Sequence, residues 1–153
     1  MRILMVTEAS SAGVGRHVID LCDALADGGN EVHLIYATGR TDAAFAAREH
    51  GPFDIVHGQS SKGGALVRLA REAGAGAVVY TPHCVYTLNP TVRGWKRFVY
   101  SRAEVWLSKR TDAVIAVSPT EAQHLHALGF DKERVHCVPN GIPPFRWQPK
   151  ADA

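Results

Sequence analysis

Hydrophobic positions form two kinds of pattern along this chain. Some lie in short continuous apolar runs, and others recur with helical spacing in longer segments. The apolar runs predict six strands, near residues 2–6, 31–36, 54–57, 77–80, 112–117 and 134–138. Between most of them, apolar residues recur every three or four positions, which is typical of helices. Parallel neighbours need crossover connections, so this alternation predicts an α/β fold: a Rossmann-like parallel sheet with helices on both faces.

Four helices are predicted from spacing and capping signals. Their expected ranges are residues 14–28, 60–74, 91–109 and 119–128. Ser60 or Ser61 can cap the second helix, and Ser118 with Pro119 gives the last one an N-cap followed by proline at the first helical position. Residues 40–51 are predicted as loop with a short helix, and no internal repeat or interdomain linker is evident.

The helix predicted at residues 91–109 has an unusual composition. Its apolar residues are expected to pack on the sheet: Trp95, Phe98, Val99, Trp106 and Leu107. Residues 93–110 carry six basic groups against Glu104 alone, a local charge of +5, whereas the other residues sum to −3. The whole-chain charge of +2 therefore hides one strongly basic segment.

Length and composition limit the class of protein. A chain of 153 residues with 46% hydrophobic content forms one compact domain, and no apolar run approaches the length of a membrane span. The N-terminal apolar run reaches Glu8 too soon for a secretory signal, which predicts a cytoplasmic protein. Its three cysteines form no Cys-x-x-Cys pair, so reduced thiols are expected.

Ligands of such a sheet bind beyond the carboxyl ends of its strands, and three of the loops expected there carry suitable residues. Gly13, Val14 and Gly15 open a helix, where backbone amides can meet a phosphate, although a tight turn explains the glycines equally well. A dinucleotide fingerprint requires a third glycine where Val18 stands and an acidic residue after the second strand. A nicotinamide-dependent oxidoreductase is therefore disfavoured.

The other two loops contribute histidines. His57 is followed by Ser60, Ser61 and Lys62, a pocket suited to an anion or, alternatively, an ordinary capped helix with a solvated lysine. His83 follows a strand end and Pro82, where an imidazole can bind a phosphate or a hydroxyl, or can be purely structural.

The remaining histidines give no metal-ligand pattern. His124 and His126 diverge on a helix, and His136 lies on a strand whose side chains alternate between faces. No metal site is expected.

Five segments in this order resemble one family. Besides the opening strand, they are Ala-Gly-Val-Gly-Arg-His-Val (12–18), Asp-Ile-Val-His-Gly-Gln-Ser-Ser-Lys (54–62), Val-Tyr-Thr-Pro-His (79–83), Thr-Asp-Ala-Val-Ile-Ala-Val-Ser (111–118) and Val-Pro-Asn-Gly-Ile (138–142). Together they look like the N-terminal half of group 1 glycosyltransferases, retaining enzymes of family 4 with the GT-B architecture. The closest likeness is to members that synthesise exopolysaccharide or capsule.

The resemblance implies that residues 1–142 form an acceptor-side domain, followed by a tail at 143–153, with the C-terminal donor-binding domain absent. The parent enzyme would transfer a sugar from a nucleotide sugar to a glycan or polyprenyl-linked acceptor, with no cofactor or metal. A separate possibility is a stand-alone, non-catalytic binding or regulatory module. The isolated domain is expected to bind donor poorly and turn over little, because both substrates need a closed cleft.

The resemblance also assigns residues. His83 matches the histidine at the reacting centre. Gly13, with Val14 and Gly15, matches the loop whose backbone amide meets the donor phosphate, although Ala12 stands where many members have a second glycine. The residues expected to line the acceptor side are Arg16, His17, His57, Ser60, Ser61 and Lys62.

If the acceptor is linked to a lipid, the basic segment at residues 93–110 has a role at the membrane. Arg93, Lys96, Arg97 and Arg102 are expected to face an anionic membrane, which would place the protein peripherally at the inner membrane face. The alternative is a core helix with a solvated basic side, and both descriptions can hold together. Nucleic acid is not expected as a partner, because the rest of the chain is net acidic, and homodimerisation through exposed apolar surface is left open.

Overall fold

The structure, a computed structural model, describes residues 1–8, 12–36, 52–72 and 75–141. Within these ranges the chain forms six strands: β1 Arg2–Thr7, β2 Glu31–Tyr36, β3 Phe53–Gln59, β4 Ala75–Thr81, β5 Ala113–Ala116 and β6 Val135–Cys137. Four α-helices connect them: α1 Ala12–Asp27, α2 Ser60–Leu69, α3 Gly94–Ser108 and α4 Pro119–Leu128. Short 3₁₀ helices span Ala70–Glu72, Tyr86–Leu88 and Lys132–Arg134. The loop and short helix predicted at residues 40–51 and the tail at 143–153 lie outside the described residues.

All strand pairs of the sheet are parallel, and the strand order is β2-β1-β3-β4-β5-β6. β2 and β3 lie on opposite sides of β1, so the strand order reverses its direction between β1 and β3. Ligands of open α/β sheets bind at such a switch point, beyond the carboxyl ends of the strands. The register there sets Thr7 beside Gln59 and Gln59 beside Thr81.

Two apolar clusters hold the described sheet to its helices. One joins β1, β3 and β4 to α2 through Leu4, Val6, Phe53, Val56, Val67 and Val78. The other joins β4, β5 and β6 to α4 and its flanking loops through Tyr80, Val85, Val114, Ala116, Ala122, Leu125, Phe130 and Val135. The predicted strands and crossover helices are confirmed, with bounds that agree within three residues except at the end of α2, which was predicted at residue 74 and lies at Leu69.

Helix α2 approaches the sheet closely because two of its residues lack side chains. A Cβ at Gly63 would lie 2.7 Å from the carbonyl oxygen of Val6, and one at Gly64 would lie 2.2 Å from the Tyr80 ring. Helix α4 ends where the sequence predicts, at Gly129, whose φ of 103° is left-handed. Its predicted cap is also confirmed, since Ser118 Oγ accepts the Glu121 N–H at 3.1 Å.

One predicted cap and one predicted helix start are wrong. Neither Ser60 nor Ser61 caps α2, because both lie inside the helix and Gln59 occupies the N-cap position without a side-chain capping bond. Helix α1 begins at Ala12, so Gly13 to Gly15 lie in its first turn and not in a preceding loop.

The predicted packing of α3 is also wrong. Trp95, Phe98, Val99 and Trp106 are exposed, at 64%, 68%, 52% and 52%, and Leu107 alone of the five residues assigned to the core is buried. The inner side of the helix is instead anchored by Glu104, whose carboxylate pairs with the fully buried Arg68 of α2 at 2.8 Å. This ion pair turns the opposite, aromatic side of the helix toward solvent.

Candidate functional site

Five side chains from three segments meet at the carboxyl edge of the sheet, and we call them the histidine cluster. His57 Nε2 and Thr81 Oγ1 are hydrogen-bonded at 2.8 Å. Gln59 Nε2 donates to the His57 ring, 3.2 Å from Nε2, and Gln59 Oε1 accepts from His83 Nε2 at 2.7 Å. The ring of His17, from α1, meets the His83 ring edge-on with centroids 4.8 Å apart.

Burial keeps the histidines of this cluster neutral. His57, Gln59 and Thr81 are buried, and His83 is half-buried. Desolvation, followed by the proximity of His83 and His17, lowers the pKa of His57 to about 3. Desolvation and His17 lower the pKa of His83 to about 4, and desolvation also lowers the pKa of His17. All three imidazoles are therefore uncharged at neutral pH.

Gln59 determines which nitrogen of His83 carries the proton. An amide carbonyl oxygen only accepts hydrogen bonds, so His83 Nε2 must donate to Gln59 Oε1. A neutral imidazole has one proton, which leaves the Nδ1 lone pair of His83 available as an acceptor. The cluster thus presents an imidazole in a defined tautomer at the ligand-binding edge.

The loop that carries His83 is held in a strained backbone conformation. His83 and Cys84 have φ angles of 53° and 81°, in the left-handed region that non-glycine residues rarely adopt. Glu121, buried at the start of α4, compensates for this strain. Its Oε1 accepts the N–H groups of Cys84 at 2.6 Å and Val85 at 3.1 Å, and its Oε2 accepts that of Val117 at 2.9 Å.

The first turn of α1 lies next to the cluster. Gly13, Arg16 and His17 line an open concavity of about 620 Å³ that is closed on another side by Asn140 and Gly141. A Cβ at Gly13 would meet no atom of the described residues within 4 Å, so that part of the chain leaves the surface beside this backbone free. The first amides of a helix have no intrahelical partner, and they are suited to an anion.

The other predicted acceptor residues lie at the rim. Lys62 Nζ, on α2, pairs with Glu8, which follows β1, at 2.5 Å, and both side chains are exposed. Arg16 pairs with Asp20 along α1 at 2.8 Å and is also exposed. The structure therefore brings His17, His57 and His83 together, and leaves the two predicted cations outside the cluster.

Sequence reasoning missed three groups of residues at this site. Gln59 and Thr81 are polar residues at the last position of apolar strands, a signal that could have identified them. Glu121 lies three residues after Ser118, the spacing of a capping box, but its contact with the His83 loop is not visible in the sequence. The sequence predicts a turn at Asn140 and Gly141 and assigns both to a family motif, but it does not show that they line the concavity beside α1.

Three further features of the described residues bear on the site's chemistry. Among the described residues, no three His, Cys, Asp or Glu side chains are grouped so that they could hold a metal ion. None of the helices in the same ranges is long and apolar enough to cross a membrane. Cys22, Cys84 and Cys137 are all free thiols.

Sequence comparisons identify related proteins. A family model described as "Glycosyl transferase 4-like domain" matches residues 36–141. Over 92 residues the chain is 34% identical to the Escherichia coli UDP-Gal:alpha-D-GlcNAc-diphosphoundecaprenol alpha-1,3-galactosyltransferase. That alignment covers 59% of this chain and 24% of the galactosyltransferase, so the matched region is about a quarter of the relative's length.

Solved structures of similar fold are about twice as long as this chain. Anabaena HepE in complex with UDP and glucose superposes with a TM-score of 0.69 at 17% identity, covering 93% of this chain and 45% of HepE. The apo form of the lipopolysaccharide outer core galactosyltransferase WaaB gives 0.66 at 13% identity, covering 100% and 50%. These likenesses confirm the predicted Rossmann-like fold of one half of a GT-B architecture.

Proposed function

Because the chain belongs to the glycosyl transferase 4-like domain family, we propose that it is the acceptor-side half of a retaining glycosyltransferase. Its reaction would move a sugar from a nucleotide sugar to a glycan or polyprenyl-linked acceptor in cell-surface polysaccharide synthesis. The observation that carries the proposal is the contact of His83 with His17, which lies one turn after Gly13 on α1, at the β1–β3 switch point. The names of two relatives add support: one is a galactosyltransferase of a diphosphoundecaprenol substrate, and the other was crystallised with UDP and glucose.

The donor phosphates would lie against the first turn of α1. The free surface beside Gly13 lets a phosphate oxygen approach the amides of Gly13, Val14 and Gly15. The positive end of the helix dipole would stabilise the negative charge that develops on the diphosphate as the bond to the sugar breaks. The larger part of the donor site would come from a second domain, supplied by a longer polypeptide or a partner chain.

His83 would act on the sugar at the reacting centre. Its Nδ1 lone pair can accept a hydrogen bond from a sugar hydroxyl, while Gln59 holds Nε2 and Glu121 holds the loop. We assign His57 to the support of this arrangement, because it is buried behind Gln59 and bonds Thr81.

The acceptor would bind at the rim of the site. Arg16 and Lys62 would exchange their present carboxylate partners for the acceptor's phosphates, and His17, Ser60 and Ser61 would complete the acceptor side. We place the reaction in the cytoplasm, where the three free thiols stay reduced.

The test is a transfer assay on this chain completed by its donor-binding half. Nucleotide sugars, including UDP-galactose and UDP-glucose, are offered with a polyprenyl-diphosphate-linked sugar, and products are identified by mass spectrometry. We expect lengthening of the acceptor by one sugar with the anomeric configuration of the donor. A completed protein that binds a nucleotide sugar but lengthens no glycan or lipid-linked acceptor would contradict the proposal and favour a non-catalytic module.

Gly13→Ala tests the donor contact separately from folding. The added methyl meets no atom of the described residues, so we expect a stability within about 0.5 kcal/mol of the wild type. Against a bound phosphate the same methyl would clash, and transfer should fall at least about tenfold. Gly94→Ala is the matched control, since a Cβ at the start of α3 also meets nothing within 4 Å. Equal transfer by both variants would remove Gly13 from the donor site.

A further inference from the structure

One side of α3 presents a continuous stripe of aromatic and basic residues to solvent. We call it the α3 outer face; it consists of Trp95, Phe98, Val99, Arg102 and Trp106. Their spacing of three, four, seven and eleven residues from Trp95 places them on one side of the helix, over a length of roughly 16 Å. Elsewhere among the described residues, Ile19 and Leu69 are exposed singly on other helices, and Leu34 and Tyr36 are exposed on β2. Tyr100, on another side of α3, contacts the Tyr86 ring.

The exposed charges of residues 93–110 are all positive. The sole carboxylate of this segment, Glu104, is turned inward to Arg68, and its side chain is only 12% exposed. Lys96 and Arg110 lie over the rings of Trp95 and Trp106, at 5.6 and 5.3 Å from the ring centroids. The exposed side of α3 therefore carries cations beside indole rings and no acidic side chain.

The other predicted membrane-facing residues lie around the start of the helix. Arg93 immediately precedes α3, and Arg97 donates to the carbonyl oxygens of Asn89 and Pro90 while its side chain remains exposed. They add positive charge next to the stripe without contributing to it.

We propose that the α3 outer face docks on the surface of an anionic lipid bilayer. Indole and phenyl rings favour the boundary between acyl chains and headgroups, and the long basic side chains reach the headgroup phosphates. Each basic residue near an anionic surface strengthens binding about fivefold. The helix is too short and too charged to span the bilayer, so it would lie in the plane of the interface. This inference does not rest on the proposed function.

Charge complementarity favours a bilayer over a second copy of the chain. A symmetric contact through α3 would bring two segments of +5 together, because the net negative charge of the chain lies elsewhere. A bilayer offers a dense field of negative groups together with an apolar layer beneath them. The pattern of rings between cations, without carboxylates, matches both components.

The experiment is flotation of the 153-residue chain with vesicles of equal parts phosphatidylcholine and phosphatidylglycerol, and with phosphatidylcholine alone. We expect binding to the anionic vesicles that weakens with salt, and little binding to the neutral ones. In a Trp147→Phe background, the emission of Trp95 and Trp106 should shift to the blue on binding.

Substitutions on the stripe and matched substitutions elsewhere give the contrast. The triple variant Trp95→Ser, Phe98→Ser, Trp106→Ser should bind at least about a hundredfold more weakly, because three rings no longer leave water. Arg102→Gln should bind about fivefold more weakly. Ile19→Ser on α1 and Lys132→Gln are the controls, since both wild-type side chains are exposed and lie outside α3, and both variants should bind like the wild type. All these side chains are exposed, so folding should be retained and is checked by circular dichroism.

Several results would overturn the proposal. They are absence of binding to anionic vesicles at low salt, equal binding by the triple variant, and a concentration-dependent dimer that the triple variant abolishes while vesicles are not bound. Flotation of this chain but not of a longer polypeptide that contains it would assign the face to a contact between domains. Because the assay uses no sugar donor or acceptor, a protein that floats but transfers no sugar would contradict only the proposed function.

Discussion

The histidine cluster and the α3 outer face are built in opposite ways. In the cluster, hydrogen bonds join His57, Gln59, Thr81 and His83, the His17 ring contacts that of His83, and three of the five residues are buried. On α3 the large rings lie in solvent, and the helix is attached through Glu104 and Leu107 on its other side. The difference indicates two kinds of recognition. A site that orients a reacting sugar needs side chains in one geometry, whereas a surface that meets a fluid bilayer needs only rings and charge on one side.

The largest effect is expected where the cluster is anchored. Glu121→Ala removes the acceptor of three backbone N–H groups, and we expect the free energy of unfolding in urea to fall by about 3 kcal/mol or more. Glu121→Gln keeps one acceptor oxygen, so its loss should be intermediate. The exposed Glu133→Ala serves as control and should change stability by less than about 0.5 kcal/mol. An unchanged stability of Glu121→Ala would contradict the role given to this carboxylate.

Two neighbouring residues of α3 test the orientation of that helix. Leu107 is buried, so Leu107→Ala should lower the free energy of unfolding by about 2–3 kcal/mol. Trp106 is half-exposed and touches only Arg110 among the ring contacts of the described residues, so Trp106→Ala should cost less than about 1 kcal/mol. Denaturant unfolding of both variants measures the two losses. A larger loss for Trp106→Ala than for Leu107→Ala would indicate that the aromatic side of α3 packs in the core.

The neutral histidines make stability fall in acid. Protonation of the unfolded chain begins near pH 6.5, whereas the pKa of folded His57 is about 3. The unfolded state therefore takes up a proton first as the pH falls, and stability is lost between these values. From about pH 7.5 to about pH 5 we expect His57 to account for about 2 kcal/mol of this loss. His57→Gln should reduce the fall in the free energy of unfolding over this pH range by that amount. The exposed-histidine variant His136→Ala is the control, and an equal fall in the two variants would contradict the burial of His57 as the cause.

The same comparison separates what the sequence could predict from what it could not. The parallel strands and the histidines at their ends were predictable, because alternation of strands and helices brings all carboxyl ends to one edge. The bond from Gln59 to His83 was not, since it depends on the register of β3 and β4 and on a left-handed loop. Such contacts join residues that are distant in the sequence and have no periodic signal.

The burial of α3 was mispredicted for a related reason. Apolar spacing shows that residues share a side of a helix, but not which neighbour that side meets. Here the side is decided by Glu104 and Arg68, which are 36 residues apart and form a buried ion pair. A carboxylate within a basic segment was the available signal, since an acidic residue surrounded by cations is well placed to pair with one inside the fold.

The central claim is that the histidine cluster, and His83 in particular, lies at the centre of a sugar transfer. The most direct measurement is the transfer rate of His83→Ala in the protein completed by its donor-binding half, with the exposed His136→Ala as control. We predict that His83→Ala lowers the rate by about a hundredfold or more, with folding retained, while the control transfers at the wild-type rate. Wild-type transfer by His83→Ala would contradict the account.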